Sequence, residues 1–454
     1  MEITYQVEAI APSKHDRIER TMESAQNAVQ GINGEQISKI GRLSLLSALR
    51  RLVFSFRSII LPLYILTIGL DEAFYGLMVA AAGYVQSGAL LPAGTLSDKR
   101  GRGVAILIGG IISGTCLVLL PFTFEPLTIL MLYSLTGIGA GFTITSIESL
   151  IADYSKRGDD MTRSYGYTRT VATLAAVIGP FIAGFLLDPV ALPGINPVIL
   201  RYAIGLFIMA GLNYTTGIAG ILTERWLVRN KPKDHEEVQK EEKEKFDTDT
   251  KQDFETSLLF GFSRLLMGFS SGMVIPYLIL WIKAAAETDP IVLGSIEAIS
   301  NLTLASGTLF VGLSSEKIGK IRMLAILYMG VPLLMFGMVY APVFILMVIF
   351  YVSRNMLANM AQPASNSLFM GEIGAQRRGR SLALTRIMWT FPRQTGTLLT
   401  AILLASGFLG GIVPFGVVVF PIAMTLYPLC VIPMYIAVRR NRRKQEMAET
   451  SLLQ

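Results

Sequence analysis

The chain has very little of the chemistry that metal centres, disulfides and many active sites need. Its 454 residues include only two cysteines and two histidines. Cys116 and Cys430 lie inside apolar runs, whereas His15 and His235 lie in highly polar stretches. This placement predicts no disulfide framework, no metal site and no membrane-embedded histidine relay. We therefore expect neither an enzyme nor a bound cofactor, because no nucleophile or metal constellation is in view.

Charged side chains are also scarce. Only 16% of the residues are Asp, Glu, Lys or Arg, against about 25% in ordinary soluble proteins, and 52% are hydrophobic. The mean hydropathy is +0.51. These values place the chain in a lipid bilayer. Because the first 40 residues are polar and hold no apolar core, we expect no cleavable signal peptide.

Apolar runs of about 20 residues, the length that crosses ~30 Å of hydrocarbon, recur twelve times along the chain. A polar segment separates the sixth run from the seventh. The predicted spans are 45–68, 73–95, 104–122, 127–152, 164–187, 198–224, 257–282, 290–313, 321–341, 343–369, 381–406 and 411–438.

The basic residues predict the orientation of these spans. Most of the 40 Lys and Arg residues lie in the two tails, the central segment and the loops on one side, while the opposite loops hold only Lys283. The positive-inside rule then predicts that both termini and the central segment are cytoplasmic, in a plasma membrane protein. The net charge of +7 thus reflects orientation in the lipid bilayer, and we expect no nucleic-acid partner.

The two halves of the chain resemble each other. The stretch RRLVFSFRSIILPLYIL from Arg50 is similar to RLLMGFSSGMVIPYLIL from Arg264, and GTLSDKRGR from Gly94 is similar to GLSSEKIGK from Gly312. Such duplication is common in secondary transporters, whose solute site lies between the halves. We predict an all-α membrane protein with twelve transmembrane helices in two pseudo-symmetric six-helix bundles. Its parts are an amino tail 1–44, the bundles 45–224 and 257–438, a linker 225–256 and a basic tail 439–454.

The loop between the second and third spans carries a recognisable motif. Its residues are Gly94, Asp98, Lys99, Arg100, Gly101 and Arg102. With twelve spans and a long linker after the sixth, this loop resembles the signature of the major facilitator superfamily, although Gly103 stands where the signature ends on a basic residue. The resemblance implies a gate in which Asp98 pairs with the end of another helix, for which Arg386 and Arg380 are candidates. Glu316 belongs to the second-half copy of the motif.

A second motif lies in the fifth span. The segment from Ala175 to Gly184 centres on Gly179 and Pro180 and is similar to the Gly-Pro motif of the drug/proton antiporter branch, where a helix kink shapes closure of the cavity. The span-four motif of that branch has an arginine where this chain has Tyr133. If that arginine serves proton exchange in the branch, then in this chain another residue takes its role or the role is absent.

Three arginines lie deep in the predicted spans. Arg57, Arg354 and Arg393 are each eleven or twelve residues into a span, about 17 Å at 1.5 Å per residue. A charge at such depth costs roughly 2.5 to 3.5 kcal/mol on insertion scales, which makes each a functional candidate. We expect all three to line the substrate cavity, with internal salt bridging, for instance of Arg354, as the alternative.

The tenth span adds a stripe of amides. Asn355, Asn359, Gln362 and Asn366 share one helical face. Such a stripe either lines a watery cavity or joins helices by hydrogen bonds, and we favour the cavity because four amides exceed what one helix contact usually needs.

Two intramembrane carboxylates are candidates for proton coupling. Glu297 lies deep in the eighth span, and Glu148 lies nearer the cytoplasmic end of the fourth. A carboxylate in a low dielectric takes up protons more readily than in water, so Glu297 is the leading candidate.

These features predict a monomeric secondary transporter that works by alternating access and exports a small organic solute in exchange for protons. One alternative is an organic-anion symporter or exchanger that uses the deep arginines, because guanidinium binds carboxylate and phosphate through two hydrogen bonds. A non-transport alternative is a transporter-like membrane sensor.

Overall fold

The computed structural model describes residues 34–154, 159–230, 250–373 and 378–452, and it leaves some side chains inside these ranges undescribed. The described residues are almost entirely helical and contain no strand. Twelve helical segments follow one another. They are α1 (Gly34–Thr67), α2 (Glu72–Arg100), α3 (Arg102–Leu119), α4 (Pro126–Tyr154), α5 (Asp159–Leu187), α6 (Val198–Arg229), α7 (Thr250–Val274 and Leu278–Ala286), α8 (Pro290–Ile318), α9 (Lys320–Val339), α10 (Phe344–Gly371), α11 (Arg378–Ala405) and α12 (Ile412–Met424, Leu426–Leu429 and Val431–Leu452).

Nine of the described helices are long and apolar enough to cross a membrane. The others are α1, α8 and α11. Helix α8 has a shorter apolar stretch, Pro290–Leu304, within the described residues. Helices α1 and α11 fall short because arginines interrupt them, and these include Arg57 and Arg393. Each of these two helices thus carries one of the deep arginines predicted for the site.

Several helices extend beyond the predicted spans. Helix α1 begins at Gly34, ahead of the predicted start at 45, and α12 continues to Leu452 through most of the predicted basic tail. Most of the amino tail and of the linker lies outside the described residues. Apolar runs predict only the lipid-crossing part of each helix, because a helix can continue into water once it has formed.

The packing of the helices reproduces the sequence repeat. In the first half α1 packs on α5, α2 on α4 and α3 on α6; in the second half α7 packs on α11, α8 on α10 and α9 on α12. The halves meet where α5 packs on α8 and where α2 packs on α11. These two seams are equivalent under the repeat, which is the arrangement of two pseudo-symmetric six-helix bundles.

Matching turns and prolines add detail to the repeat. Gly101 joins α2 to α3 with a φ of 101°, and Gly319 joins α8 to α9 with a φ of 92°. Both positions favour glycine because a side chain is strained at positive φ. Pro62 lies inside the continuous helix α1, whereas Pro276 lies in a 3₁₀ turn, Ile275–Tyr277, that interrupts α7. The repeated sequence therefore produces similar but not identical helices.

We call the side of the membrane on which α1 begins the near side, and the side on which α1 ends the far side. Each later helix starts on the side where the previous one finished. The far side therefore holds the start of α2 and α8 and the end of α5 and α11.

Candidate functional site

The seam between α5 and α8 is closed toward the far side by two glycines. A Cβ added to Gly184 would lie 2.5 Å from the carbonyl oxygen of Pro290 and 3.0 Å from the Cα of Gly294. Only residues without a side chain permit such an approach of two helices. The Gly-Pro segment of α5 therefore provides part of the contact surface between the halves.

Pro180 leaves a backbone carbonyl of α5 free to accept a hydrogen bond across the seam. Because proline has no N–H, it leaves the carbonyl of Ala176, four residues earlier, without its helical donor. The side-chain amide of Asn301, on α8, donates to this oxygen over 3.2 Å. The same amide also donates to the carbonyl of Glu297 over 3.0 Å. The helix irregularity at Pro180 is thus used by a residue of the opposite half.

The second seam joins α2 to α11. Gly83 faces Gln394 so closely that a Cβ there would overlap the amide, and the hydroxyls of Tyr84 and Thr395 are 2.8 Å apart. Arg393 precedes Gln394 on the same helix. This seam therefore lies next to one of the predicted deep arginines.

Arg57 and Arg393 approach each other from opposite halves. The Arg57 guanidinium stacks on Phe54 at 5.0 Å from the ring centroid, and that of Arg393 stacks on Trp389 at 5.1 Å. The two guanidinium groups lie within electrostatic range of each other, and Tyr75 lies within range of both. Neither arginine forms an ion pair with a carboxylate of the described residues. Two cations without a countercharge thus lie between the halves.

Tyr133 occupies the position where the drug/proton antiporter motif has an arginine. Its hydroxyl lies beside the Arg57 guanidinium. A cationic group from α1 is therefore present next to this position of α4, although α4 itself carries no arginine there.

Arg354 has a different environment. Its side chain is fully buried, and its guanidinium donates to the amide oxygen of Asn355 over 2.7 Å and contacts the sulfur of Met424 at 3.2 Å. The alternative of an internal salt bridge is not realised between Arg354 and Glu297, which interact only at longer electrostatic range. Its burial inside the second half also does not fit the prediction that it lines the cavity.

Glu297 is partly buried on α8 and accepts a hydrogen bond of 2.5 Å from the hydroxyl of Tyr351 on α10. It lies within electrostatic range of Arg51 on α1 as well as Arg354 on α10. The Glu297 carboxylate thus interacts with arginines of both halves. Its backbone carbonyl accepts the second hydrogen bond from the Asn301 side chain.

The amide stripe of α10 mainly joins helices. Arg264 of α7 donates to Asn366 over 2.7 Å and to Gln362 over 3.4 Å. Asn355 donates to Ser300 of α8 over 3.0 Å. The predicted cavity role therefore does not hold for Gln362 and Asn355, because neighbouring helices satisfy their amides. Asn359 is exposed and donates only to a backbone carbonyl of its own helix.

The motif loop between α2 and α3 forms its ion pairs and hydrogen bonds with other residues of the first half. Asp98 forms an ion pair with Arg102, which also pairs with Asp153 of α4 at 2.9 Å. The carboxylate of Glu224, on α6, accepts the backbone N–H groups of Arg102 over 2.6 Å and Gly103 over 2.8 Å. The expectation that Arg386 is the partner of Asp98 is therefore wrong in this conformation.

Gly103, where the signature has a basic residue, has a steric explanation. A Cβ at this position would lie 2.7 Å from the Cα of Ile221 on α6. Gly94 has open space instead, and Lys99 and Arg100 are exposed. The side chains of Glu316 and Arg380 lie outside the described residues.

Arg386 binds Glu148 across the halves. Its two terminal nitrogens meet the two carboxylate oxygens at 2.5 and 2.9 Å, near the near-side ends of α11 and α4. The two side chains are 48% and 39% exposed. Glu148 was a candidate for proton coupling, but in this conformation its carboxylate forms a two-point contact between the halves.

The profile of the Major Facilitator Superfamily matches residues 43–397, which is well over half of the chain. The chain belongs to this superfamily. Members of the superfamily are transporters, so its fold and family are those of secondary transport across a membrane.

Individual relatives of this superfamily member are distant. The quinolone resistance protein NorA of Staphylococcus aureus is 28% identical over 129 residues, which cover 28% of this chain and 33% of NorA. The chain thus matches about a third of the length of that relative. The uncharacterised MFS-type transporter MJ1560 of Methanocaldococcus jannaschii is 24% identical over 334 residues, or 72% of this chain and 80% of that protein.

Among solved structures, the nucleoside transporter NupG superposes with a TM-score of 0.66 at 15% identity, covering 87% of this chain and 99% of that chain. At this identity the likeness concerns the fold alone. The twelve-helix architecture predicted from the sequence is confirmed.

Sequence reasoning missed residues whose role depends on a neighbour. Asn301 follows Glu297 by one helical turn, a spacing that could have placed both on one face. Glu224 and Tyr351 carry no such signal, because their partners are more than 50 residues away. Arg201, near the start of α6, is buried and donates to the carbonyl oxygens of Asp188 and Leu192.

Proposed function

We propose that this member of the major facilitator superfamily is a proton-coupled secondary transporter that exports a small organic solute. The observation that carries the proposal is the placement of Glu297, whose carboxylate interacts with Arg51 of the first half and Arg354 of the second. A single proton on this group changes an attraction between the halves, which is what coupling requires.

The coupling step follows from charge. Ionised Glu297 attracts Arg51 across the boundary between the halves, and its carboxylate accepts a hydrogen bond from the Tyr351 hydroxyl. Protonation removes the negative charge and with it this attraction. The contact of Asn301 with the opposite half lies one turn away, so we infer that loading Glu297 with a proton favours separation at this seam.

Export and cellular location rest on separate support. NorA carries the name of a quinolone resistance protein, which supports an organic solute leaving the cell. The excess of basic residues on the near side supports a cytoplasmic location for that side and for both termini, in the plasma membrane. The proposed solute path lies between the halves of one chain, so we propose that a monomer is sufficient.

The test is flux in proteoliposomes that contain a pH-sensitive dye. Solutes would be a fluorescent quinolone, norfloxacin, and a small panel of aromatic acids and amines, with and without an imposed pH gradient. We expect solute movement to be accelerated by the gradient and accompanied by proton movement. In Glu297→Gln, solute movement should persist and no longer respond to pH.

The matched control is Glu287→Gln, the same chemical change at an exposed position of the α7–α8 connection. This variant should behave as the wild type. Wild-type flux that ignores the gradient, or a Glu297→Gln protein with full coupling, would refute the proposal. Solute binding without any flux would favour the transporter-like sensor instead.

A further inference from the structure

We propose that the transported solute carries an anionic group, a carboxylate, sulfonate or phosphate, and that Arg57 and Arg393 bind this group together from the two halves. The inference rests on the proposed transport function and adds the chemical class of the solute. It does not involve Arg354, because that guanidinium is fully buried within the second half and already bonded.

Among the described residues, Arg57 and Arg393 lack a countercharge. A cation inside the membrane is costly unless it is paired. Arg201 shows one solution, since it is buried and donates to two backbone carbonyls. In the part of the chain that the structure describes, Arg57 and Arg393 have no carboxylate partner, and the acidic group nearest the centre, Glu297, interacts with other arginines.

Aromatic rings orient the two guanidinium groups. Each is stacked on an aromatic ring of its own helix, Phe54 or Trp389, which orients the planar group without consuming its N–H donors. Both side chains are only partly buried. Their donors are therefore oriented, accessible and suited to the paired oxygens of a carboxylate or phosphate.

Tyrosine hydroxyl groups surround the two arginines. Tyr75 lies within electrostatic range of both arginines, Tyr133 lies beside Arg57, and Tyr427 lies within range of Arg393. Tyrosine hydroxyls can donate to the remaining oxygens of an anion.

An anion bound between Arg57 and Arg393 would link solute binding to the transport cycle. Arg57 and Arg393 repel each other across the halves, so an empty closed carrier is disfavoured at this point. An anion between them replaces repulsion with two attractions. The bound solute would then permit closure, which is the differential interaction with two states that alternating access needs.

The experiment uses the purified full-length protein in detergent and three probes that share one ring system. These are 2-naphthoate, 2-naphthamide and 2-naphthylmethylammonium at equal ionic strength. A ligand of the folded protein raises its apparent melting temperature. We expect a saturable rise with naphthoate and none with the amide or the cation.

Variants assign the effect to the two arginines. Arg57→Lys and Arg393→Lys keep the charge and lose the paired donors, so each should weaken naphthoate binding roughly tenfold to hundredfold. Arg225→Lys, at an exposed position near the end of α6, is the matched control and should bind as the wild type does. Arg57→Gln and Arg393→Gln should raise the melting temperature of the unliganded protein, because the repulsion is removed.

The results separate this proposal from the proposed function. Preference for the amide or the cation, no stabilisation by naphthoate, or unchanged binding in both lysine variants would overturn the anion site. The melting experiment involves no pH gradient, so it measures anion binding separately from proton coupling. Anion binding together with flux that ignores pH would preserve this inference and refute proton coupling.

Discussion

The hydrogen bond between Asn301 and the carbonyl of Ala176 yields a quantitative prediction. It joins the halves at the far-side seam and exists because Pro180 cannot donate to that carbonyl. Asn301→Leu should therefore destabilise the far-closed conformation. Interhelical hydrogen bonds in membrane proteins contribute about 0.6 kcal/mol on average, and an unsatisfied carbonyl adds to the loss, so we expect about 1 kcal/mol.

A change of about 1 kcal/mol corresponds to a roughly fivefold shift of the equilibrium toward the far-open conformation. Pro180→Ala offers the decisive comparison, because alanine restores an N–H that can donate to Ala176 within α5. When Pro180→Ala is already present, Asn301→Leu should destabilise the far-closed conformation clearly less than it does in the wild type. The two substitutions should thus be non-additive, with a coupling energy of roughly 0.5 kcal/mol or more.

The assay is a distance distribution between spin labels at Val190→Cys and Ala285→Cys, which are exposed far-side positions of the two halves. The native Cys116 and Cys430 are buried, which favours labelling of the introduced sites. Thr303→Val is the control, since Thr303 bonds only to its own helix. Equal shifts for Asn301→Leu with and without Pro180→Ala, or a shift in Thr303→Val as large, would refute the reasoning.

Two further predictions concern the near side. Gly103→Ala should lower the free energy of unfolding by about 1 to 3 kcal/mol, because its Cβ would overlap the backbone of Ile221 on α6. Gly94→Ala, which has open space around it, should leave stability unchanged or slightly raised. Equal melting temperatures for the two variants would contradict this prediction. Glu148→Arg should widen the near-side distance between the halves, and adding Arg386→Glu should restore that distance. Because the pair is half-exposed, the effect should stay below about 1 kcal/mol and shrink in high salt. A double variant whose near-side distance is no closer to the wild type than that of Glu148→Arg would contradict the pairing.

Local sequence patterns predicted the helices well and their termini less well. The lengths of the apolar runs, the repeated segments and the motif from Gly94 to Arg102 were sufficient for twelve helices in two related halves. The ends at Gly34 and Leu452 were not predictable from hydropathy, because a helix that leaves the bilayer no longer needs apolar residues.

The candidate site was predicted in residue type more than in arrangement. The depth of Arg57 and Arg393 singled them out, since an intramembrane charge is costly wherever it points. The same argument applied equally to Arg354, which proved to be buried away from the boundary between the halves. Depth along a helix is local, whereas the direction in which a side chain points depends on how that helix packs.

The sequence by itself determined the membrane as solvent, the number of helices, the duplication and the superfamily, because each follows from hydrophobic length or from residues close together in the chain. Only the tertiary structure decided which polar side chains from distant helices meet. Arg386 pairs with Glu148 and Arg264 with the amide of Asn366, and each contact joins residues about 100 or more positions apart. Such partners follow from the rotation and crossing of packed helices, which no short stretch of sequence specifies.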